Sequence, residues 1–223
     1  MTFRSLHPDS VHGRQAEARR NDLVVLEAAR DVFSALGADA PVSAVADRAG
    51  VGIGTLYRRY GSKTELLQRL CVLAMEQAVA AADDALGAGD PWTGLASYVR
   101  ACVELRSGAL AALAGQIETT AQMRAVARRS MTRLAEIVAR AHRDGSLRPD
   151  VTALDVSWLI EQFSRRPPDP VDADEERNVR ARLVAIALDG LRTRDGLQAQ
   201  TRQTLPGRPP SRARYVRRWS SRS

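Results

Sequence analysis

At 223 residues and 24.3 kDa the chain is long enough for one large domain or two small ones, and its 44% hydrophobic content allows a core although aromatics are only 4%. No run of 18 apolar residues occurs, which excludes a membrane-spanning helix of ordinary length, and the opening "MTFRSLHPDS" has no continuous apolar stretch of the kind a secretory signal needs, so a cytoplasmic location is expected. The net charge of +7 lies at the ends: residues 1–20 carry four arginines against two acids, residues 195–223 seven arginines against one aspartate, and the intervening chain is close to neutral. Such ends suit nucleic acid or another acidic surface.

Alanine, leucine and arginine dominate the composition, which favours helix. Residues 1–20 lack apolar periodicity and read as a flexible basic arm. From Leu23 a helix is predicted, with Leu26, Ala29, Phe33 and Leu36 at spacings of three and four and Gly37 just past its end. A short helix over about 41–49 follows, opened by Pro41, with Val42, Val45, Ala46 and Ala49 on one face, and Gly50 stops it. After "GVGIGTLYRRY", Ser62 and Glu65 fit a capping box before an apolar run from Leu66 to about Leu86. Further helices are predicted at 91–106, 108–117, 121–144, 152–165 and 174–194, separated by "GAGDP", "RDGSLRPDVT" and "SRRPPDPVDA". From Asp195 onward periodicity is lost and the composition is that of a disordered basic tail. The fold class is all-α, divided into an arm (1–20), a unit of three helices (21–66), a larger helical domain (67–194) and the tail (195–223).

The glycines of "GVGIGTLYRRYGSKTELL" fit neither phosphate-loop spacing. Between two apolar helical patterns they fit a helix-turn-helix, with the turn at Gly50 and Val51. Gly52 and Gly54 each cost about 1 kcal/mol of helix propensity relative to alanine. What they provide is a bare helix N-terminus that can approach phosphates and base edges. Thr55 can meet a base edge or a thymine methyl. Tyr57, Arg58, Arg59, Tyr60 and Lys63 supply hydroxyl and cationic groups for the DNA backbone, while Leu56 faces Val45. Aromatic packing at the helix end is the competing reading for Tyr57 and Tyr60, and solvated charge for Arg58 and Arg59.

The stretch "ADRAGVGIGTLYRRYGSKTELL" resembles the DNA-binding signature of the TetR family of transcriptional regulators: an alanine-glycine turn, a G-[ST]-[LIF]-Y recognition helix, an aromatic, then [ST]-K before a long helix. The likeness runs from Asn21 to about Leu73. It implies an all-helical homodimeric regulator, usually a repressor, that binds a palindromic operator on double-stranded DNA and responds to a small molecule. Recognition-helix contacts then fall on Gly52, Ile53, Gly54, Thr55 and Tyr57, and phosphate contacts on Arg58 or Arg59, Lys63 and Ser43. Positions 52 and 53, often Ser and Lys in the family, are Gly and Ile here, and position 60, commonly Phe, is Tyr. "VARAHRDGSLRPDVTALDVSWLIEQF" and "RLVAIALDGLRT" are similar to the last helices of a TetR-like subgroup, which form a dimeric four-helix bundle. In them Val156, Leu159, Ile160 and Phe163 form one apolar stripe, and Leu183, Ala187 and Leu191, beside Ile186 and Leu188, another.

A ligand cavity is expected between Trp92 and Trp158, with Tyr98, Cys102, Gln116, Met123, His142, Trp158 and Gln162 as candidate lining. Few charged residues fall at apolar positions of these helices, so an apolar or weakly polar effector is expected, with no metal, no cofactor and no membrane partner. Cys71 and Cys102 read as small buried apolar groups, a redox sensor being the other reading. His7 and His12 lie in the arm and His142 stands alone, so no catalytic site is expected. The alternative function is an architectural, largely non-specific nucleic-acid binder that relies on its basic ends. The tail is either a solvated end or an auxiliary contact to phosphates.

Overall fold

The computed structural model of the chain describes residues 8–165, 172–193, 205, 206 and 208–213. Eight α-helices follow in order: α1 (Pro8–Leu36), α2 (Val42–Ala49), α3 (Ile53–Tyr60), α4 (Lys63–Gly87), α5 (Pro91–Glu104), α6 (Ala121–Arg143), α7 (Ala153–Phe163) and α8 (Ala173–Leu191), with a 3₁₀ turn at Ala109–Leu113 between α5 and α6. The all-α class holds; the single strand-like pairing among the described residues is an isolated bridge between Leu147 and Arg192. Among those residues no helix is long and apolar enough to cross a membrane.

The helix boundaries follow local chemistry. Asp90, Thr120 and Thr152 each accept a backbone N–H three residues on (2.6, 3.1 and 3.2 Å), and Pro91 occupies the first turn of α5, where its missing N–H costs nothing. Thr152 and Asp155 form a complete capping box. At α4 the predicted box is half made: Ser62 accepts from the Glu65 N–H at 3.1 Å, but the Glu65 carboxylate lies beside Gly61, where a Cβ would stand 2.8 Å from its Oε2. It is the left-handed backbone, with φ at +67°, that calls for glycine at Gly61, since the Glu65 side chain can move aside.

Three expectations are corrected. Residues 8–20 are helical rather than a flexible arm, as the helix-forming run "RQAEARR" allows without any apolar face. The helix predicted at 108–117 is only the short 3₁₀ turn. Gly115 there takes φ +78°, and Gly108 is pressed against α7, so that a Cβ on it would come within 2.5 Å of the Glu161 Cα. In the basic tail, residues 205, 206 and 208–213 are placed, and the Leu205 N–H donates to the Asp150 carboxylate at 2.9 Å. The rest of the tail, and residues 1–7 of the arm, lie outside the described residues.

Two apolar cores share one long helix. Leu26, Ala29, Phe33, Val45, Leu56 and Leu66 centre the first, which joins α1, α2, α3 and the start of α4. The second joins the later turns of α4 with α5 to α8 around Ala82, Leu95, Val99, Leu134, Val156 and Leu188. The domain boundary read at 66/67 therefore falls inside α4, which turns apolar residues towards both cores. On α8 the residues that enter the core are Val184 and Leu188; of the stripe read there, Leu183 and Ile186 are exposed, as is Val179.

Candidate nucleic-acid interface and effector cavity

The turn between α2 and α3 is built on Gly50. It holds φ +67°, ψ +31°, and its N–H and that of Val51 return to the Asp47 and Ala46 carbonyls (3.2 and 3.0 Å). A Cβ at Gly50 would meet nothing, so the left-handed backbone is what calls for glycine there. Leu56 is 2% exposed and anchors α3 in the first core; Asp31 on α1 holds α2 by accepting from Arg48 Nε and Nη2 at 2.8 and 2.6 Å.

Gly52 and Gly54 differ from Gly50. Their backbone is ordinary, and a Cβ on either would touch only a side-chain tip, Thr55 Oγ1 at 3.9 Å and Arg58 Nη1 at 4.0 Å. Nothing within the protein requires these glycines, although Gly54 weakens an eight-residue helix. Both are exposed, at the end of α3 where free N–H groups and the positive dipole end point outward. A bare surface kept at a cost to the helix is suited to the close approach of a partner.

Around it, Ile53, Thr55, Tyr57 and Arg58 are exposed, Ile53 and Tyr57 by 46% each, and Arg58 Nη2 donates to Thr55 Oγ1 at 3.1 Å. Ser43, in the first turn of α2, is exposed as well. Tyr60 and Arg59 turn the other way. The Tyr60 side chain is buried and its hydroxyl donates to Asp22 on α1, where burial, reinforced by that hydrogen bond, pushes the phenol well above its ordinary value near 10. Arg59 Nε pairs with the same carboxylate at 2.7 Å. Tyr60 is therefore a strut between α3 and α1 rather than a surface for DNA, and Arg58 is the outward-facing member of the arginine pair. Lys63 is half-buried, its Nζ 5.9 Å from the Phe33 ring centroid.

A cavity of about 480 Å³ lies between α4, α5, α6 and α7, where the second core meets Cys71, Ala74, Leu110 and Met123 of the first. Tyr98, Cys102 and Met123 line it as expected. Gln116, His142, Trp158 and Gln162 do not: Gln116 and Gln162 are exposed, and His142 meets the Arg148 carbonyl through Nε2 at 3.2 Å. Sequence reasoning missed Cys71, Met75, Leu134 and Glu161, and with them Arg124, Arg128 and, from the C-terminal segment, Arg212. Burial pushes the Cys71 thiol up to about 12 and the Cys102 thiol to about 11, so both are protonated at neutral pH, unlike a reactive thiolate.

A polar junction links this cavity to α1. Arg106, buried and held at φ +54°, pairs through Nη1 with Asp31 and donates through Nη2 to Ser34 Oγ at 2.6 Å. Arg30 reaches the Leu105 carbonyl and Gln77 Oε1, the latter at 2.7 Å; burial first, and the Arg106 guanidinium second, lower its ordinarily high value. The next two residues, Ser107 and Gly108, line the cavity, and the Gly108 N–H donates to Ser164 Oγ on α7 at 3.2 Å. Asp31 thus holds α2 through Arg48 and the cavity loop through Arg106. Among the described residues no cluster of His, Cys, Asp and Glu could hold a metal ion.

A short helix and a glycine turn supporting an exposed, cation-flanked second helix define a helix-turn-helix DNA-binding regulator. Residues 25–70 match the family model for bacterial regulatory proteins of the tetR family, and residues 90–193 match the model for the C-terminal domain of SbtR-like transcriptional regulators. Solved structures agree. A TetR transcription regulatory protein from Mycobacterium vanbaalenii is 30% identical, with 80% of this chain and 99% of that one covered and a TM-score of 0.55. The TetR regulator PfmR from Thermus thermophilus is 26% identical (74% and 97% covered, TM-score 0.52). A TetR regulator from Streptomyces coelicolor, 24% identical, shares the fold (78% and 99% covered, TM-score 0.53). Among curated proteins, none matches the sequence. The chain belongs to the TetR family of transcriptional regulators.

Proposed function

We propose that this regulator is a homodimeric repressor that binds a palindromic operator through α3 and releases it when a small molecule enters the cavity between α4, α5, α6 and α7. The observation that carries the DNA-binding half is the exposed N-terminus of α3, whose two glycines have no role inside the protein and whose neighbours Thr55, Tyr57 and Arg58 face outward. Ile53 and Ser43 are exposed as well, and Lys63 is half-buried at the start of α4. Dimerisation is supported by Val179, Leu183 and Ile186 on α8, which recur at four and three residues and are 49, 46 and 59% exposed. Three large apolar side chains on one exposed helix face are suited to burial against a second copy.

The response would travel through the junction at Arg106. A molecule in the cavity touches Ser107 and Gly108; any shift of that loop moves Arg106, which shares Asp31 with Arg48 of α2. This route changes how α2 and α3 sit on α1 without altering the residues that meet DNA.

Selection of sites from random DNA by the purified full-length protein at about 150 mM salt tests the reading, because non-specific phosphate binding is weak there. An enriched inverted repeat with half-sites in successive major grooves is expected. Without enrichment, and with binding that fades as salt rises, the basic ends would carry the affinity and the architectural alternative would replace this one.

A further inference from the structure

We infer that the cavity takes an anionic amphiphile, a molecule with an apolar chain and a carboxylate or similar anionic head, held by Arg124, Arg128 and Arg212. The inference rests on the reading of the cavity as an effector site and departs from the sequence expectation of an uncharged ligand.

The interior is apolar, with Ala74, Ala78, Leu110, Met75, Met123 and Leu134 among its walls. Two of these are methionines, whose unbranched side chains adapt to a flexible chain. At 480 Å³ the space is within the roughly 300–1,000 Å³ that small-molecule sites occupy. The ionic groups of the lining are unequal in sign and in setting. Arg124 and Arg128 stand one turn apart on the same face of α6, an arrangement that two like charges disfavour unless an anion is shared between them. Arg124 donates to the Thr119 carbonyl at 2.6 Å, a neutral acceptor, and neither Arg128 nor Arg212 is paired with an acidic side chain among the described residues. Arg212 arrives from the C-terminal segment, which the Leu205–Asp150 hydrogen bond ties to the loop before α7.

Among the described residues, Glu161 is the only acidic one in the lining. It is 4% exposed, lies on α7 against Gly108, and meets Arg165 Nη2 at 3.4 Å. The three arginines are all exposed. Charge therefore grades from a buried acid at the α7 wall to three guanidinium groups at the solvent side. An anionic head is attracted to the guanidinium side, which orients the ligand with its chain inward. A cationic amphiphile would have to place its head beside Glu161, past those three positive charges.

The test compares decanoate, decanol and decyltrimethylammonium, each below its micellar concentration, by calorimetric binding to the full-length protein and, in parallel, by release of fluorescently labelled operator. Decanoate is expected to bind at least tenfold more tightly than decanol, and the Arg124→Gln/Arg128→Gln variant to lose about tenfold for decanoate with decanol unchanged, the order of a charge-assisted hydrogen bond at a partly solvated site. Arg212→Gln should give a smaller loss in the same direction. Equal binding of decanol, preference for the ammonium compound, no binding by any of the three, or no effect of the arginine variants would overturn the inference. Arginine-dependent decanoate binding that leaves the operator bound would keep the ligand class and remove the regulatory reading. Operator release by decanol or the ammonium compound would do the reverse.

Discussion

The two cores of this molecule are built to opposite specifications. Around α1, α2 and α3 the space is filled, with Leu26, Phe33, Val45 and Leu56 at 2% exposure or less, and the exposed candidate contacts from Gly52 to Arg58 sit on the outside of a short helix. The second core, where it meets the first, borders 480 Å³ left open, lined by buried apolar side chains and by exposed arginines. A close-packed support holds an exposed surface in fixed geometry, which recognition of a regular duplex needs. An unfilled interior forgoes packing energy and keeps room for a ligand. The difference separates the residues that hold a function in place from those that perform it. Around α3 the buried anchor Leu56 and the exposed contacts are different residues, while at the cavity the same side chains both pack and line the space.

The largest effect should come from the filled core. Leu56→Ala removes a fully buried anchor and should cost about 2–5 kcal/mol of stability, seen as a lower midpoint in chemical denaturation. A cost below 1 kcal/mol would mean that α3 is not held by this packing. Arg106→Gln should leave operator affinity and ligand affinity near wild type yet remove the coupling between them, typically about 1–3 kcal/mol in allosteric proteins. The readout is the operator dissociation constant with and without ligand, and an undiminished ligand effect would place the route elsewhere. In the open core, Ala78→Leu fills space instead of creating it. Where the same enlargement in a packed core costs about 1–3 kcal/mol, here stability should change by less than about 1 kcal/mol while ligand binding is lost. A large destabilisation would show that the cavity cannot accept a side chain. The smallest effect belongs to the C-terminal tail: deleting 195–223 should reduce the salt dependence of DNA binding without changing the preferred operator, each lost phosphate contact lowering the logarithmic slope by about 0.9. An unchanged slope would reject the auxiliary contact to phosphates.

The contrast also governs how much the sequence discloses. The helix-turn-helix is legible because its signals are local: Gly50 ends one helix, Gly52 opens the next, and Leu56 faces Val45 across a turn of fixed geometry. Local signals failed where a distant partner decides. Tyr60 and Arg59 are in register with the other surface residues, but Asp22, 38 and 37 positions earlier, turns both away from the DNA side. On α8 the apolar residues are dense enough to suggest several stripes, and only packing selects Val184 and Leu188 over Leu183. The cavity was least legible of all. Polar candidates such as His142 and Gln162 could be drawn from composition, but a space among four helices has no periodicity of its own, and its arginine side is assembled from α6 and a segment more than 80 residues away.

The central claim is that sequence-specific binding resides in the exposed face of α3 and not in the basic ends. Fluorescence anisotropy of the full-length protein and of Tyr57→Ala on the selected operator and on a scrambled duplex, at about 150 mM salt, tests it most directly. Tyr57 is 46% exposed, so its loss should leave folding intact while operator affinity falls by about 1–3 kcal/mol, towards that for the scrambled duplex. A variant that folds normally and still prefers the operator to the same degree would contradict the account.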